Sequence, residues 1–159
     1  MTVTTSTYAA WKRLSGRPGG SRLFSAAVMA RVPYFSSVLP HVVRMEPGQA
    51  EVRVPKWFMV YNHLHTVHAI AACNAAEVAM RMLMEATVPP SLRWIPKAMT
   101  VQYLEKATTS LHARAQLAPP DFTQITDGVE LVVPVTVTDR SGTEVVHADI
   151  TTWVTPRHR

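Results

Sequence analysis

A single cysteine, Cys73, is all the thiol this chain has, so no intrachain disulfide can form. That suits a reducing compartment, and a cytoplasmic location is expected. No stretch reaches the roughly 18 uninterrupted apolar residues of a membrane span, so none is expected. The opening MTVTTSTYAAWKRLSG has no apolar core of the kind a secretory signal needs. Its Ser/Thr-rich, basic character leaves an organelle transit peptide as the alternative. Basic residues are scattered and never run longer than Lys12-Arg13. That argues against nucleic acid as a partner. The net charge of +5 is scattered, which suits a small phosphorylated ligand better than a long polyanion. Internal repeats and low-complexity tracts are absent as well.

What is present is a chain of one-domain length, 159 residues, 47% hydrophobic, ample for a core. Its centre is Tyr61 to Glu85, YNHLHTVHAIAACNAAEVAMRMLME, with no Gly or Pro to interrupt it. This reads as a loop feeding one long helix that is apolar nearly all round, and so must be wrapped on several sides. Before it, Tyr8 to Leu14 and Arg22 to about Arg31 have helical spacing, the second with Ser21 as its expected cap. His41 to Met45 and Ala50 to Pro55 read as a hairpin around Glu46-Pro47-Gly48-Gln49, with Pro and Gly where a type II turn needs them. After the helix, Val88-Pro89-Pro90 forces an exit. Then come Trp94–Lys106, Ser110–Leu117, Val129–Thr138 and Glu144–Val154, the last three alternating apolar with polar residues. Pro134 predicts an edge or a bulge in the third of these. One helix cannot cover both faces of six strands, so the expected architecture is α+β, an antiparallel sheet curled round the helix, with extra N-terminal helices. Residues 1–20 read as an N-terminal extension and 21–159 as a single domain.

An acid inside so apolar a helix is costly unless it has a partner or a task. Glu77 is that acid. Its bland reading is an ion pair with Arg81 at i+4. Asn62 to His68 spans six positions and His68 to Glu77 nine. In this spacing the segment resembles the signature of the phenylacetate-pathway type of hotdog acyl-CoA thioesterases. That family carries N-G-x-G-T-x-H-G-G and then Asp or Glu nine positions after the His. The order of helices and strands also resembles the hotdog fold, over about Val42 to Val154. The leading segment, from Trp11 through Phe24 to Pro33-Tyr34, looks like a less characterised branch.

The resemblance implies hydrolysis of an acyl-CoA thioester to a free acid and coenzyme A, with no further cofactor. It implies Glu77 as base or nucleophile, Asn62 and His68 as positioning groups, and the backbone N–H groups of Ala69 and Ile70 as oxyanion donors. The family's Gly-Gly is here Ala69-Ile70, and the bulk of Ile70 narrows the approach to the helix start. The family places its site between subunits, so a homodimer or a dimer of dimers is implied. Asn74, a polar amide in an apolar helix, and Lys97, Lys106 and Arg114 are candidate substrate contacts, the cations toward coenzyme A phosphates. A solvated strand face is the bland reading of each cation. Thr66 is the expected helix cap. His63, His65 and His68 lack a carboxylate or Cys at ligand spacing, so no metal is expected. Cys73 is expected to be a small core residue. Met80, Met82 and Met84 are expected in the core, with an acyl tunnel as the alternative. A non-catalytic hotdog protein that binds acyl-CoA or lipid is the second reading. A hotdog dehydratase would need a Pro-Gly-rich helix entry that is not found.

Overall fold

The computed structural model describes residues 4–157. Helix α1 (Ser6–Leu14) starts where the Thr5 hydroxyl accepts from the Tyr8 N–H at 3.1 Å. The same hydroxyl donates to the Glu85 carbonyl at 2.7 Å, which ties the segment to the end of the central helix. Trp11 of α1 is buried against Phe24, ring centres 5.2 Å apart in an edge-to-face arrangement. Helix α2 (Gly20–Arg31) is not capped by Ser21. The chain enters through Gly19 in the left-handed region, and Ser21 lies in the first turn with its hydroxyl 3.0 Å from His41 Nε2. A Cβ on Gly20 would stand 1.8 Å from the Leu14 carbonyl oxygen, so the close α1–α2 junction requires glycine.

The strands are β1 (His41–Glu46), β2 (Gln49–Val54), β3 (Leu92–Tyr103), β4 (Leu111–Gln116), β5 (Val129–Thr138) and β6 (Glu144–Pro156). They form one antiparallel sheet in the order β1-β2-β4-β5-β6-β3. Gly48 turns the first hairpin at φ 81, as the Pro-Gly pair predicts. Alternation then sorts the faces. Ala50, Val52 and Val54, Leu111, Ala113 and Ala115, and Val133, Val135 and Val137 are all buried on the inner face.

That inner face wraps helix α3 (Ala69–Thr87). Ala71, Ala72, Ala75, Ala76 and Ala79 are buried along it, and their small side chains let the sheet approach closely. Met80, Leu83 and Met84 are fully buried and Met82 nearly so, which places the methionines in the core rather than along a tunnel. Truncating Leu83 to Ala would cost about 2–5 kcal/mol. Pro134 does not mark an edge strand, because β5 lies between β4 and β6. The β4 ladder ends at Ala115–Val135, so Pro134 falls where β5 has only one neighbour and its missing N–H is tolerated. Among the described residues, no helix is long and apolar enough to cross a membrane.

Candidate active site

Helix α3 has one stripe that the sheet leaves half open: Ile70, Cys73, Asn74, Glu77 and Arg81, spaced along a single helical face. A 3-10 turn (Pro33–Ser37) borders it on one side and β3 on the other. From the turn, the Tyr34 hydroxyl donates to Asn74 Oδ1 at 3.4 Å. From β3, the Tyr103 hydroxyl lies 3.4 Å from Cys73 Sγ. That contact, with a smaller contribution from burial, pushes the Tyr103 phenol above its ordinary value. The Arg81 guanidinium lies between two rings, 6.0 Å from the centre of Phe35 and 5.7 Å from that of Trp94.

Glu77 sits in the middle of this stripe. Its Oε1 accepts from Arg81 Nε at 2.8 Å, with 26% of the glutamate side chain exposed. The carboxylate is thus paired within its own helix yet open to solvent on one side.

The helix start is built by the preceding loop. Asn62 Oδ1 accepts from the N–H groups of Leu64 (2.9 Å) and Thr66 (3.1 Å), and its Nδ2 donates to the Thr66 hydroxyl at 2.8 Å. Every polar atom of the Asn62 side chain is therefore engaged in shaping this loop. The helix begins at Ala69, so the cap position falls to His68 rather than to Thr66, and the His68 Nδ1 accepts from the Ile70 N–H at 3.1 Å. The Ala72 N–H donates to the His68 carbonyl at 3.2 Å. The Ile70 N–H is thereby satisfied, whereas the N–H of Ala69, at the first helical position, has no intrahelical acceptor. A cavity of about 170 Å³ lies beside the cap, lined by residues that include Met59, Tyr61, His68 and Asn74.

The three cations differ in placement. Lys106 is exposed in the loop whose Ala107 carbonyl accepts from the Val67 N–H at 2.8 Å, next to the helix start. Lys97 is ion-paired with Glu130 and stacks over Trp153. Arg114 lies on the outer face of the sheet, 3.7 Å from Glu51, away from α3. Among the described residues no His/Cys/Asp/Glu group could hold a metal ion. Sequence reading missed Tyr34, Phe35 and Trp94 as neighbours of the stripe. Tyr34 and Phe35 directly follow Pro33, a signal of a fixed turn, but nothing local shows that the turn packs on α3.

A long helix cradled by a six-stranded antiparallel sheet, with extra helices ahead of it, is the hotdog fold of thioesterase-type proteins. The chain matches, over residues 20–154, the family described as Domain of unknown function (DUF4442), and it belongs to that family. The structural-genomics protein APC5556 is 40% identical, with a TM-score of 0.82 over 95% of this chain and 99% of that one. A Pseudomonas aeruginosa protein, PA5026, described as a probable thioesterase, is 17% identical, with a TM-score of 0.78 over 99% of this chain and 100% of that one. A thioesterase family protein of Silicibacter pomeroyi is 15% identical, with a TM-score of 0.69 over 84% and 96%. For the last two the likeness is one of fold. No curated protein matches the chain.

Proposed function

We propose that this protein is an acyl-CoA thioesterase-like hydrolase that works as a homodimer, with Glu77 of one copy facing the α3 start of the other. The observation that carries the reading is the position of Glu77, a carboxylate on the half-open stripe of an otherwise apolar helix. Glu77 takes a proton from water, and the resulting hydroxide attacks the thioester carbonyl carbon. The oxyanion is held by the Ala69 N–H, where the helix dipole also favours negative charge. The C–S bond then breaks, and the coenzyme A thiolate receives a proton as it leaves. Direct attack by the carboxylate, followed by hydrolysis of the anhydride, uses the same groups. His68 and Asn62 act as positioning residues that fix the helix start and its loop. Asn74 and Lys106 contact substrate, Lys106 toward a phosphate. The exposed Phe58, Met59 and Leu64 offer apolar surface to the rest of the thioester.

Helix geometry supports the two-copy site. Nine residues of helix place Glu77 about 13 Å along the axis from His68. A base acting through one water and an oxyanion donor must both lie close to the reacting atoms, and a backbone separation of this size favours drawing them from two copies. The edge of β3 supports it too. This 12-residue strand has β6 on one side only, and Ile95 and Tyr103 are exposed along it. The opposite edge, β1, is covered by α2, with the Val42 N–H donating to Ser25 Oγ at 2.9 Å. An uncovered long edge suits antiparallel pairing with its own copy.

The test is turnover of a panel of acyl-CoA thioesters by the wild type and by Glu77→Gln. A second reading, a non-catalytic acyl-CoA or lipid binder, is favoured by the satisfied Ile70 N–H and by the Glu77–Arg81 pair. Ligand that co-purifies with the protein, without turnover of any thioester, would select it.

A further inference from the structure

The outer face of the sheet, away from α3, carries a row of side chains set by register. His41 pairs with Arg53 across β1–β2, and Arg53 pairs with His112 across β2–β4. Residues directly opposite in adjacent strands point to the same face, with Cβ atoms about 5 Å apart. A guanidinium is thus flanked by two imidazoles. The row forms part of the wall of a cavity of about 720 Å³, which α2 borders with Arg22 and the β5–β6 turn borders with Arg140.

The cavity is lined by more cations than anions. Among the described residues, no carboxylate lies within 4.0 Å of the guanidinium of Arg22, Arg53 or Arg140. The carboxylate in the lining, Asp139, is committed to its own turn, its Oδ1 accepting from the Ser141 N–H, the Ser141 hydroxyl and the Thr143 N–H at 2.6–3.0 Å. Glu51 Oε2 lies 2.9 Å from His112 Nε2, which engages that carboxylate on the sheet face. Glu51 is also shared with Arg44 and Arg114. Both imidazoles are held below their ordinary value, by burial first and then by neighbouring arginines. The three arginines are exposed and free to turn their guanidiniums into the hollow, and that fork of donors matches phosphate oxygens. The volume far exceeds an inorganic phosphate and falls in the range of small organic ligands. Met29, Leu39 and Pro55 supply apolar wall for the body of such a ligand.

We propose that the His41–Arg53–His112 row, with Arg22 and Arg140, is a binding site for a small organic phosphate, separate from the α3 site. A phosphate dianion sets two negative charges and three acceptor oxygens against these cations, where a monocarboxylate sets one charge and two oxygens. The proposal does not depend on the hydrolase reading.

The test uses the full chain, calorimetric titration and the ring signals of the histidines. The probes are phenyl phosphate, inorganic phosphate and benzoate. Phenyl phosphate should bind saturably, one per chain, and tighter than either of the others. It should shift His41 and His112 while leaving His68, at the α3 start, unmoved. Arg53→Gln should weaken binding by about tenfold or more with the unfolding midpoint retained, and Arg140→Gln should weaken it independently. Absence of saturable binding, movement of His68 in place of His41 and His112, or unchanged affinity in both variants would overturn the site. Benzoate binding as tightly as phenyl phosphate would overturn the assignment to phosphate.

Discussion

Glu77 and Arg81 form an ion pair across one turn of α3, Oε1 to Nε at 2.8 Å, and Arg81 is itself held between Phe35 and Trp94. The pair is partly open to solvent, so it contributes little to folding. Its consequence is orientational: it fixes the direction in which the carboxylate faces the gap between the 3-10 turn and β3. Arg81→Gln should therefore lower stability by about 1–2 kcal/mol, most of it from the two ring contacts and about 0.2–0.5 kcal/mol from the pair. If the pair positions the carboxylate for reaction, kcat falls while KM holds. Steady-state kinetics alongside thermal unfolding separates the two effects.

Ala69 occupies the first helical position, where proline is tolerated because its N–H has no intrahelical partner. His68 before it is already extended, at φ −60 and ψ 138, a conformation that proline accepts in its predecessor. Ala69→Pro should keep the fold and remove the N–H proposed as an oxyanion donor. The expected loss is about 100-fold to 1,000-fold in kcat. An unchanged kcat in a folded variant would take the Ala69 N–H out of the reaction.

Mixed dimers test the two-copy site. In a heterodimer of Glu77→Gln and Ala69→Pro chains, one of the two sites combines an intact Glu77 with an intact helix start. After subunit exchange of two inactive proteins in equal amounts, activity should recover to about one quarter of wild type, since half the dimers are mixed and each has one good site. No recovery after verified exchange would place both groups in one subunit.

How legible this was in the sequence depended on how local the cause was. The Glu46–Gln49 hairpin was readable because Pro47-Gly48 and the alternation of β2 act within a few residues. The Glu77–Arg81 pair was readable for the same reason, as an i, i+4 relation. The helix cap was not. Thr66 has the right chemistry, but the chain stays in the Asn62–Thr66 loop there and turns helical only at Ala69, so the cap is His68 two residues on. The His41–Arg53–His112 row was out of reach, because strand register between residues so distant in sequence is set by the whole sheet. Pro134 signalled a real interruption, though it reflects the short reach of β4 rather than the place of β5 in the sheet.

His41 and His112 give a pH dependence with a definite sign. Burial is the largest cause of lowering in both. Arg22 and then Arg53 add to it at His41; Arg114 and Arg53 add to it at His112, where Glu51 opposes. The folded values lie below the ordinary 6.5, so as pH falls the unfolded chain takes up protons first. The stability these imidazoles contribute is full above that value and is lost as pH drops from it toward the folded values. The unfolding midpoint should fall between about pH 8 and about pH 5.5, and a His41→Gln, His112→Gln double variant should show a shallower fall. An equal slope in the variant would assign the dependence to other groups.

The most direct measurement is the hydrolysis of an acyl-CoA panel by Glu77→Gln beside the wild type, both shown to be folded and of the same oligomeric state. The proposed role of Glu77 as base predicts a fall in kcat of about 100-fold to 10,000-fold, with coenzyme A binding retained. Turnover by the variant at the wild-type rate would contradict the assignment of Glu77 and, with it, the mechanism.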